Sequence, residues 1–284
     1  MTARKLTTKA ITHSASTYIG KAGELFYDTA TATLKISDGT TPGGATLNTD
    51  GSGGDTWPVT NTAGASGPTL ITIGQNAGLT SQGAQAVAVG GYAGSTNQGT
   101  LAVAVGSYAG GTTQGGSAVA VGRRAGEISQ GADAVAIGFE AGRDSQGLYA
   151  VAIGETAGNT SQGYTAVAVG TSAGYYQQGS EAVAVGPIAG YTGQGANAVA
   201  VGAYAGYTGQ GVSAVAIGNS AGRTSQANNS IILNATGANL IQTTANTFRV
   251  KPVRDGGSAA GMAAGGFKPT YYNPTTGEFV YASS

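Results

Sequence analysis

The sequence predicts an all-β fold, a parallel β-solenoid in which each turn of the chain takes sixteen residues. Glutamine recurs at this spacing without insertion, and two columns of glycine follow the same step. The glutamines are Gln82, Gln98, Gln114, Gln130, Gln146, Gln162, Gln178, Gln194, Gln210 and Gln226. The glycine columns run from Gly74 to Gly218 and from Gly78 to Gly222. Helical repeats need about 34 residues or more, so this unit indicates one coil of a β-solenoid.

Each repeat reads Gln-Gly-x-x-Ala-Val-Ala-Val/Ile-Gly-x-x-Ala-Gly-x-x-x. Its Ala-Val-Ala-Val segment predicts a short strand that ends at a glycine corner, because glycine permits the positive φ that a tight corner often requires. We expect a second, less regular strand over the variable residues after each Ala-Gly pair. Stacked coils would form parallel sheets with strands about 4.8 Å apart.

The Ala-Val-Ala-Val strand is apolar on both faces. Side chains alternate along a strand, so the valines point to one side and the alanines to the other. Strands without polar residues are usually covered on both faces. We therefore expect the alanine side to pack closely against other copies of the chain around a shared axis. The alternative is a monomer that exposes this face.

Two further patterns bear on how coils stack. Stacked glutamine amides can hydrogen-bond along their column, so we interpret the glutamines as a structural ladder that closes each turn, not as a ligand site. Opposite charges also recur sixteen residues apart, in the pairs Arg124 with Glu140 and Glu127 with Arg143. In-register stacking would favour both pairs.

The repeat array is flanked by segments of different composition. We assign residues 1–47 to an N-terminal β module, with strands at 23–28 and 33–39, and residues 48–68 to a glycine-rich linker. The β-roll then covers residues 69–240 in ten to eleven coils. Its last strand, Ser-Ile-Ile-Leu-Asn at 230–234, is bulkier and suits a capping coil. Residues 241–284 end in a predicted hairpin around Asn-Pro-Thr-Thr-Gly.

Composition and motifs argue against catalysis. Charged residues make up 9% of the chain, the formal net charge is zero and there is no cysteine. We therefore expect no nucleic-acid partner, disulfide or thiolate metal site. His13 is the single histidine, and neither a nucleophile elbow nor a phosphate-binding loop is present. We expect no enzymatic activity, cofactor or metal. No signal peptide or apolar span is visible, so export by the usual route and membrane insertion are not expected.

Aromatic residues supply the candidate binding surface. Tyr175, Tyr191 and Tyr207 share one repeat position, and Tyr176 and Tyr204 lie nearby in the sequence. Tyrosine offers apolar area with a polar tip, so this tyrosine ridge could contact a receptor, or it could only stabilise neighbouring coils. A threonine column raises a third possibility, ice binding, but Ile128, Asp144 and Tyr176 interrupt it. The column comprises Thr80, Thr96, Thr112, Thr160, Thr192, Thr208 and Thr224.

The repeat at about 70–234 resembles the left-handed β-roll head repeats of trimeric autotransporter adhesins of the YadA type. It is more similar to the arrays in tail-fibre-like virion proteins of bacteriophages, cyanophages especially. Those arrays often close with a Ser-Ile-Ile-Leu-Asn-Ala cap and a Tyr-Tyr-Asn-Pro-Thr-Thr-Gly-Glu hairpin, as this chain does. Residues 23–44 look like the N-terminal module of phage tropism-determinant and tail-fibre proteins.

This resemblance implies a homotrimeric, structural virion fibre whose roll projects from the particle and contributes to host attachment. Residues 1–47 would join it to other tail or baseplate proteins, and a host surface receptor would be a further partner. The alternatives are a bacterial trimeric adhesin head, or a spacer or baseplate component without receptor contact. The chain departs from the adhesins in showing no signal peptide, coiled-coil stalk or membrane anchor. Many related fibres continue into a self-cleaving chaperone, whereas this sequence ends at Ser284.

Overall fold

A computed structural model describes residues 70–252 continuously, and shorter segments outside that range. The shorter segments are residue 21 and residues 9–10, 25–28, 33–37, 39–40, 45–46, 59–61, 270–273 and 278–281. His13, most of the predicted module at 1–47 and most of the linker at 48–68 lie outside the described residues. The described residues form strands, turns and irregular segments, with no helix among them.

The structure confirms an all-β, parallel β-solenoid of about 11 turns. The chain divides into two compact units, Met1–Tyr164 and Thr165–Ser284, and solenoid coils occupy most of the described part of each. In each unit, a coil adds one strand to a first sheet, and a second sheet receives a strand from five coils of the first unit and from two coils of the second.

In the unit Met1–Tyr164, the first sheet is parallel apart from its antiparallel first pair. Its strands are β5 (Val59–Asn61), β6 (Ile71–Ile73), β7 (Val87–Val89), β9 (Val103–Val105), β11 (Val119–Val121), β13 (Val135–Ile137) and β15 (Val151–Ile153). The second sheet is parallel throughout. Its strands are β8 (Thr96–Gln98), β10 (Thr112–Gln114), β12 (Ile128–Gln130), β14 (Asp144–Gln146) and β16 (Thr160–Gln162).

The unit Thr165–Ser284 repeats this arrangement. Its first sheet contains β17 (Val167–Val169), β19 (Val183–Val185), β21 (Val199–Val201), β22 (Val215–Ile217), β23 (Ile231–Asn234) and β24 (Phe248–Lys251), all parallel. Its second sheet contains β18 (Tyr176–Gln178) and β20 (Thr192–Gln194).

Short strands are also described outside the solenoid. A sheet near the N-terminus is formed by β1 (Lys9–Ala10), β2 (Leu25–Asp28), β3 (Thr33–Ile36) and β4 (Ala45–Thr46). Its central strands, β2 and β3, pair antiparallel. Near the C-terminus, β25 (Thr270–Asn273) pairs antiparallel with β26 (Glu278–Tyr281).

The stacking register is that of the sequence repeat. Ala120 of β11 pairs with Ala104 of β9 on one side and with Ala136 of β13 on the other. Gln114 of β10 likewise pairs with Gln130 of β12. Each partner is sixteen residues away, so one repeat is one coil, and identical repeat positions become neighbours along the stack.

Two tight turns close each coil, as residues 103–118 illustrate. The amide of Ala109 donates to the carbonyl of Gly106 at 3.1 Å, and that of Ala118 donates to Gly115 at 3.3 Å. Gly106 has φ +128°, and an added Cβ would lie 2.6 Å from the carbonyl oxygen of Gly122 in the next coil. Glycine is therefore required at this corner by both its φ and the close backbone approach.

Most coils also hold three non-glycine residues in the left-handed region. In this coil they are Tyr108, Thr113 and Ser117, with φ of 60°, 57° and 56°. Tyr108 and Ser117 are the third residues of the two turns, where a turn with positive φ usually carries glycine or asparagine. Thr113 lies within the second strand and interrupts the alternation of side chains between its two faces. The following residue, Gln114, therefore points into the coil.

The interior of a coil holds alanine methyl groups and one glutamine. Ala104, Ala109 and Ala118 are fully buried, Gln114 is almost so, and Val103 and its equivalents are only half-buried. The expectation that alanine faces outward was therefore wrong, and the valine side is the outer one. The physical reason is the narrow cross-section, because two three-residue strands joined by tight turns leave interior space for methyl groups and one extended side chain.

The interior changes at the last coils. Ile232 occupies the alanine position that Ala216 holds one coil earlier, and it is fully buried. Asn234 stands where the corner glycine is expected, and its Nδ2 donates to the carbonyls of Asn219 at 2.7 Å and Ala238 at 2.6 Å. The bulkier residues predicted at 230–234 thus fill the coil differently, and β24 pairs with β23 beyond them.

Candidate functional site

The predicted glutamine ladder is inside the coils. The Nε2 of Gln114 donates to Oε1 of Gln130 at 3.1 Å, to the carbonyl of Val103 at 2.9 Å and to that of Ala118 at 3.3 Å. The same pattern recurs along the ladder in each unit, always with Nε2 pointing to the next coil. The expected amide column that closes each turn is confirmed.

Burial keeps this ladder from meeting a ligand. From Gln98 to Gln226 the glutamines are 2–3% exposed. Gln82, at the first coil, is half-buried and donates to Gln98 at 2.9 Å. The amides contact carbonyls and each other, which is the requirement for burying a polar side chain in an apolar interior.

The predicted tyrosine ridge is present, and its centre is a stack. Rings of Tyr175 and Tyr191 lie 5.0 Å apart with 10° between their planes, and those of Tyr191 and Tyr207 lie 5.3 Å apart with 18°. These separations are close to the strand spacing of about 4.8 Å, so the stacking of coils places the rings face to face. Burial is the largest cause that raises the pKa of Tyr191, with Tyr175 and Tyr207 adding to it.

An arginine that the sequence analysis missed closes one end of this stack. Arg223 occupies the same repeat position as Tyr207, one coil later. Its guanidinium carbon lies 5.8 Å from the ring centre of Tyr207 and 5.1 Å from that of Tyr204. Tyr204 in turn meets Tyr207 edge-on at 5.8 Å. The sixteen-residue spacing from Tyr207 was the signal that could have identified Arg223.

This packing limits what the ridge can bind. The rings of Tyr175, Tyr191 and Tyr207 are half-buried, and Tyr191 has a neighbour on each face. Tyr176 and Tyr204 are more accessible, at 43% and 36% exposed. Stacked tyrosines of this kind stabilise adjacent coils, and they offer a ligand ring edges and hydroxyl groups more than ring faces.

The outer face of the first sheet is apolar and accessible. The sequence analysis expected alanines on this face, whereas valines and isoleucines occupy it. In the unit Met1–Tyr164, Ile137 and Ile153 are 39% and 38% exposed, beside half-buried valines. In the unit Thr165–Ser284, Ile217, Ile231 and Phe248 are exposed at equivalent outer positions. We call this surface the valine strip, defined as the first and third residues of each first-sheet strand within a unit.

A network of five charged side chains joins two coils. Arg124 binds Glu140 at 3.3 Å, as predicted, and Glu127 at 3.5 Å. Arg143 binds Glu140 at 3.4 Å and Asp144 at 2.8 Å. Of the two predicted pairs, Glu127 with Arg143 forms no direct ion pair, because Glu127 contacts the arginine of its own coil, but the two charges attract each other at longer range. The hydrogen bond from Arg143 to Asp144 is the largest cause that raises the pKa of Arg143.

Other possible sites find little support in the described part of the chain. Among those residues, no group of three histidine, cysteine, aspartate or glutamate side chains could hold a metal ion. None of them belongs to a helix that could cross a membrane. The threonine column is uneven, since Thr112 and Thr208 are exposed whereas Thr96 and Thr192 are half-buried.

The chain matches no protein-family model, no curated protein and no solved structure. Any binding by this chain is therefore inferred from the geometry of its described surfaces. The described residues present an apolar strip on a regular sheet, a tyrosine stack closed by arginine, and scattered exposed aromatic side chains.

Proposed function

We propose that this chain is a structural fibre protein in which three copies pack their valine strips around a common axis as left-handed rolls. In this proposal the fibre is a virion appendage, a tail fibre or tail-associated structure, that contributes to host attachment. The observation that carries the proposal is the accessible valine strip, because a regular exposed apolar surface is typical of an interaction site.

The size of the strip can be estimated from the sheet. In each unit, six parallel strands of the first sheet carry it, from β6 to β15 and from β17 to β24. With strands about 4.8 Å apart and about 3.3 Å per residue, the strip covers roughly 300 Å² in each unit. This area lies at the lower end of the range of about 300–600 Å² for the largest apolar patch on a typical monomer, and such a patch is often functional.

Another copy of the chain is the partner that suits this surface. The strip places two apolar side chains at every coil, so a second strip has matching spacing along it. The described strip residues from Val87 to Ile217 are all valine or isoleucine. Two strips can therefore meet without bringing like charges together. The trimer is the state that the resemblance to phage fibres and autotransporter heads implies.

Attachment to a particle and to a host is supported by two features. One is the similarity of residues 23–44 and 271–278 to phage fibre motifs, and the other is a regular surface that carries exposed tyrosines. Residues 1–47 would join other tail or baseplate proteins. An adhesin head on a bacterial surface is the second candidate, and a spacer without receptor contact is the third.

Sedimentation velocity of the full chain tests the oligomer. We expect a trimer for the unmodified chain, and monomers for Val119→Lys, because a charge on the strip would be buried at the axis. Thr112→Lys is the matched control, since Thr112 is exposed on the second sheet. Circular dichroism should show the same β-structure for all three. A monomeric unmodified chain would refute the proposal.

Electron microscopy with gold-labelled antibodies tests the location. We expect label on appendages of purified virions from the producing culture. Label on bacterial envelopes and none on virions would instead favour the adhesin head. Adsorption of the purified trimer to host cells then separates an attachment fibre from a spacer, because a spacer would not adsorb.

A further inference from the structure

Three large apolar side chains are exposed together on the second turn of two neighbouring coils. Leu148, Tyr149 and Tyr164 are 48%, 52% and 48% exposed. Leu148 and Tyr164 hold the same repeat position sixteen residues apart, and Tyr149 follows Leu148 directly. We call these residues the turn cluster. It lies entirely within the unit Met1–Tyr164 and shares no residue with the tyrosine ridge.

The fold does not require this cluster, because other coils fill the same positions with other residues. At the position of Leu148 and Tyr164, the other coils carry Ala84, Thr100, Gly116, Ala132, Ser180, Ala196, Val212 and Asn228. At the position of Tyr149 they carry Gln85, Leu101, Ser117, Asp133, Thr165, Glu181, Asn197, Ser213 and Asn229. Most of these residues are small or polar, as an exposed turn favours.

Tyr149 is also an unfavourable residue for its own backbone. Its φ is +59°, in the left-handed region. A bulky side chain is uncommon there, whereas asparagine, found at this position in Asn197 and Asn229, is well tolerated.

The two rings are arranged to accept a ligand. Tyr149 and Tyr164 meet edge to face, with ring centres 5.8 Å apart and planes at 87°. In the stack of Tyr175, Tyr191 and Tyr207 the planes of neighbouring rings are within 18° of parallel, so these rings cover each other. Perpendicular rings instead form a corner, and about half of each side chain stays accessible to solvent.

The backbone beneath the cluster is fixed. An added Cβ on Gly147 would lie 2.5 Å from the carbonyl oxygen of Gly163, so the two turns are in close contact. The amide of Tyr149 donates to the carbonyl of Ala132 at 3.0 Å, and that of Ala150 donates to Gly147 at 3.3 Å. A rigid platform reduces the entropy lost on binding.

A charged residue precedes Tyr149 in the stack of coils. Asp133 holds the repeat position of Tyr149 one coil earlier, and it is exposed. A carboxylate accepts hydrogen bonds from hydroxyl groups, and aromatic rings pack against the C–H face of a sugar ring. We infer that the turn cluster with Asp133 is a binding site for a neutral pyranose of a host surface glycan. This inference rests on the proposed role in host attachment.

Saturation-transfer NMR on the full chain tests the site. The probe is a mixture of the methyl pyranosides of glucose, galactose, mannose, rhamnose and N-acetylglucosamine. We expect transfer to the ring protons of at least one sugar, and its loss in the double variant Tyr149→Asn, Tyr164→Ser. Both substitutions copy residues that other coils hold at these positions, so the variant should fold with an unchanged or slightly higher melting temperature. Asp133→Asn should reduce the transfer several-fold.

Tyr108→Ser is the control, since Tyr108 is 41% exposed in the same unit but stacks on Tyr92 at the first turn. It should keep the full transfer. Absence of transfer for every sugar would overturn the inference, as would equal transfer in the double variant. If Tyr176→Ser loses the transfer while the double variant keeps it, the inference is also overturned and the sugar is placed at the tyrosine ridge.

The oligomer measurement keeps the two proposals separate. A trimeric chain that adsorbs to cells but binds no pyranoside overturns the sugar site alone. A monomeric chain that still binds a pyranoside through Tyr149 and Tyr164 overturns the trimeric fibre alone. Adsorption that the double variant retains, and that protease treatment of the cells abolishes, would indicate a protein receptor and refute the sugar site.

Discussion

Two adjacent glutamines allow the internal ladder to be tested with a matched control. Gln178 is 2% exposed and donates to the carbonyls of Val167 at 2.8 Å and Ala182 at 3.2 Å, and to Oε1 of Gln194 at 3.1 Å. Gln177, the preceding residue, is exposed. The same substitution, to alanine, therefore removes an interior amide in one case and a solvated amide in the other.

The magnitude follows from these contacts. An amide nitrogen has two hydrogens, so the three contacts of Gln178 amount to two hydrogen bonds, each worth about 1 kcal/mol net. Loss of the side chain also leaves the acceptor on Gln194 short of a donor and opens a small cavity, for about 1–2 kcal/mol more. We expect Gln178→Ala to lose about 3–4 kcal/mol, which lowers the melting temperature by roughly 10 °C in a chain of this size.

Thermal denaturation followed by far-ultraviolet circular dichroism measures the difference. Gln177→Ala should change the melting temperature by no more than about 2 °C, since exposed substitutions usually have small effects. Gln178→Met keeps most of the volume without the hydrogen bonds, so it should fall between the two. Equal melting temperatures for Gln177→Ala and Gln178→Ala would show that the amide column does not stabilise the coils.

Three further perturbations have defined outcomes. Gly106→Ala should prevent folding of its coils, whereas Gly193→Ala, at φ +65° with no atom within 4 Å of an added Cβ, should cost about 1 kcal/mol in denaturant titration; similar losses would contradict the steric account. The pKa of Tyr191, ordinarily 10.0, is raised, so the folded state holds the phenolic proton more tightly than the unfolded state does. The stability that this difference contributes is present below about pH 10 and is lost as the pH rises through the pKa of the folded state. Tyr191→Phe should therefore reduce the fall in melting temperature from about pH 9 to about pH 11, and an unchanged fall would remove Tyr191 as its source. Glu140→Gln, which breaks the bridges to two arginines, should cost about 1 kcal/mol at low salt and less at high salt; a loss independent of salt would exclude an electrostatic origin.

Most of the fold could be predicted from the repeat. The sixteen-residue spacing of Gln114 and Gln130, with alternating Ala and Val between glycines, predicted the coil, its first strand and the stacking register. These features could be predicted because each repeat must make the same contacts with the next. The second strand was predicted only approximately, since its residues vary from coil to coil and one of them, such as Thr113, takes a left-handed conformation.

Which face of the strand points inward could not be decided from alternation alone. Ala104 and Val103 are both apolar. Which of them points inward depends on the distance between the two sheets, and the length of the repeat does not determine that distance. The turn cluster was missed for a related reason. Tyr149 and Tyr164 lie in different repeats at different positions, so they share no column, and only the turn geometry brings their rings together.

The uniform direction of the amide column makes the two ends of any run of coils chemically unlike. A coil such as the one ending in Gln114 offers its successor a donor and offers its predecessor an acceptor. Removing or adding whole sixteen-residue units therefore leaves complementary ends, whereas joining two like ends would bring donor to donor or acceptor to acceptor. The length of such a rod could change in evolution by unequal recombination, with no cost to the junctions that remain.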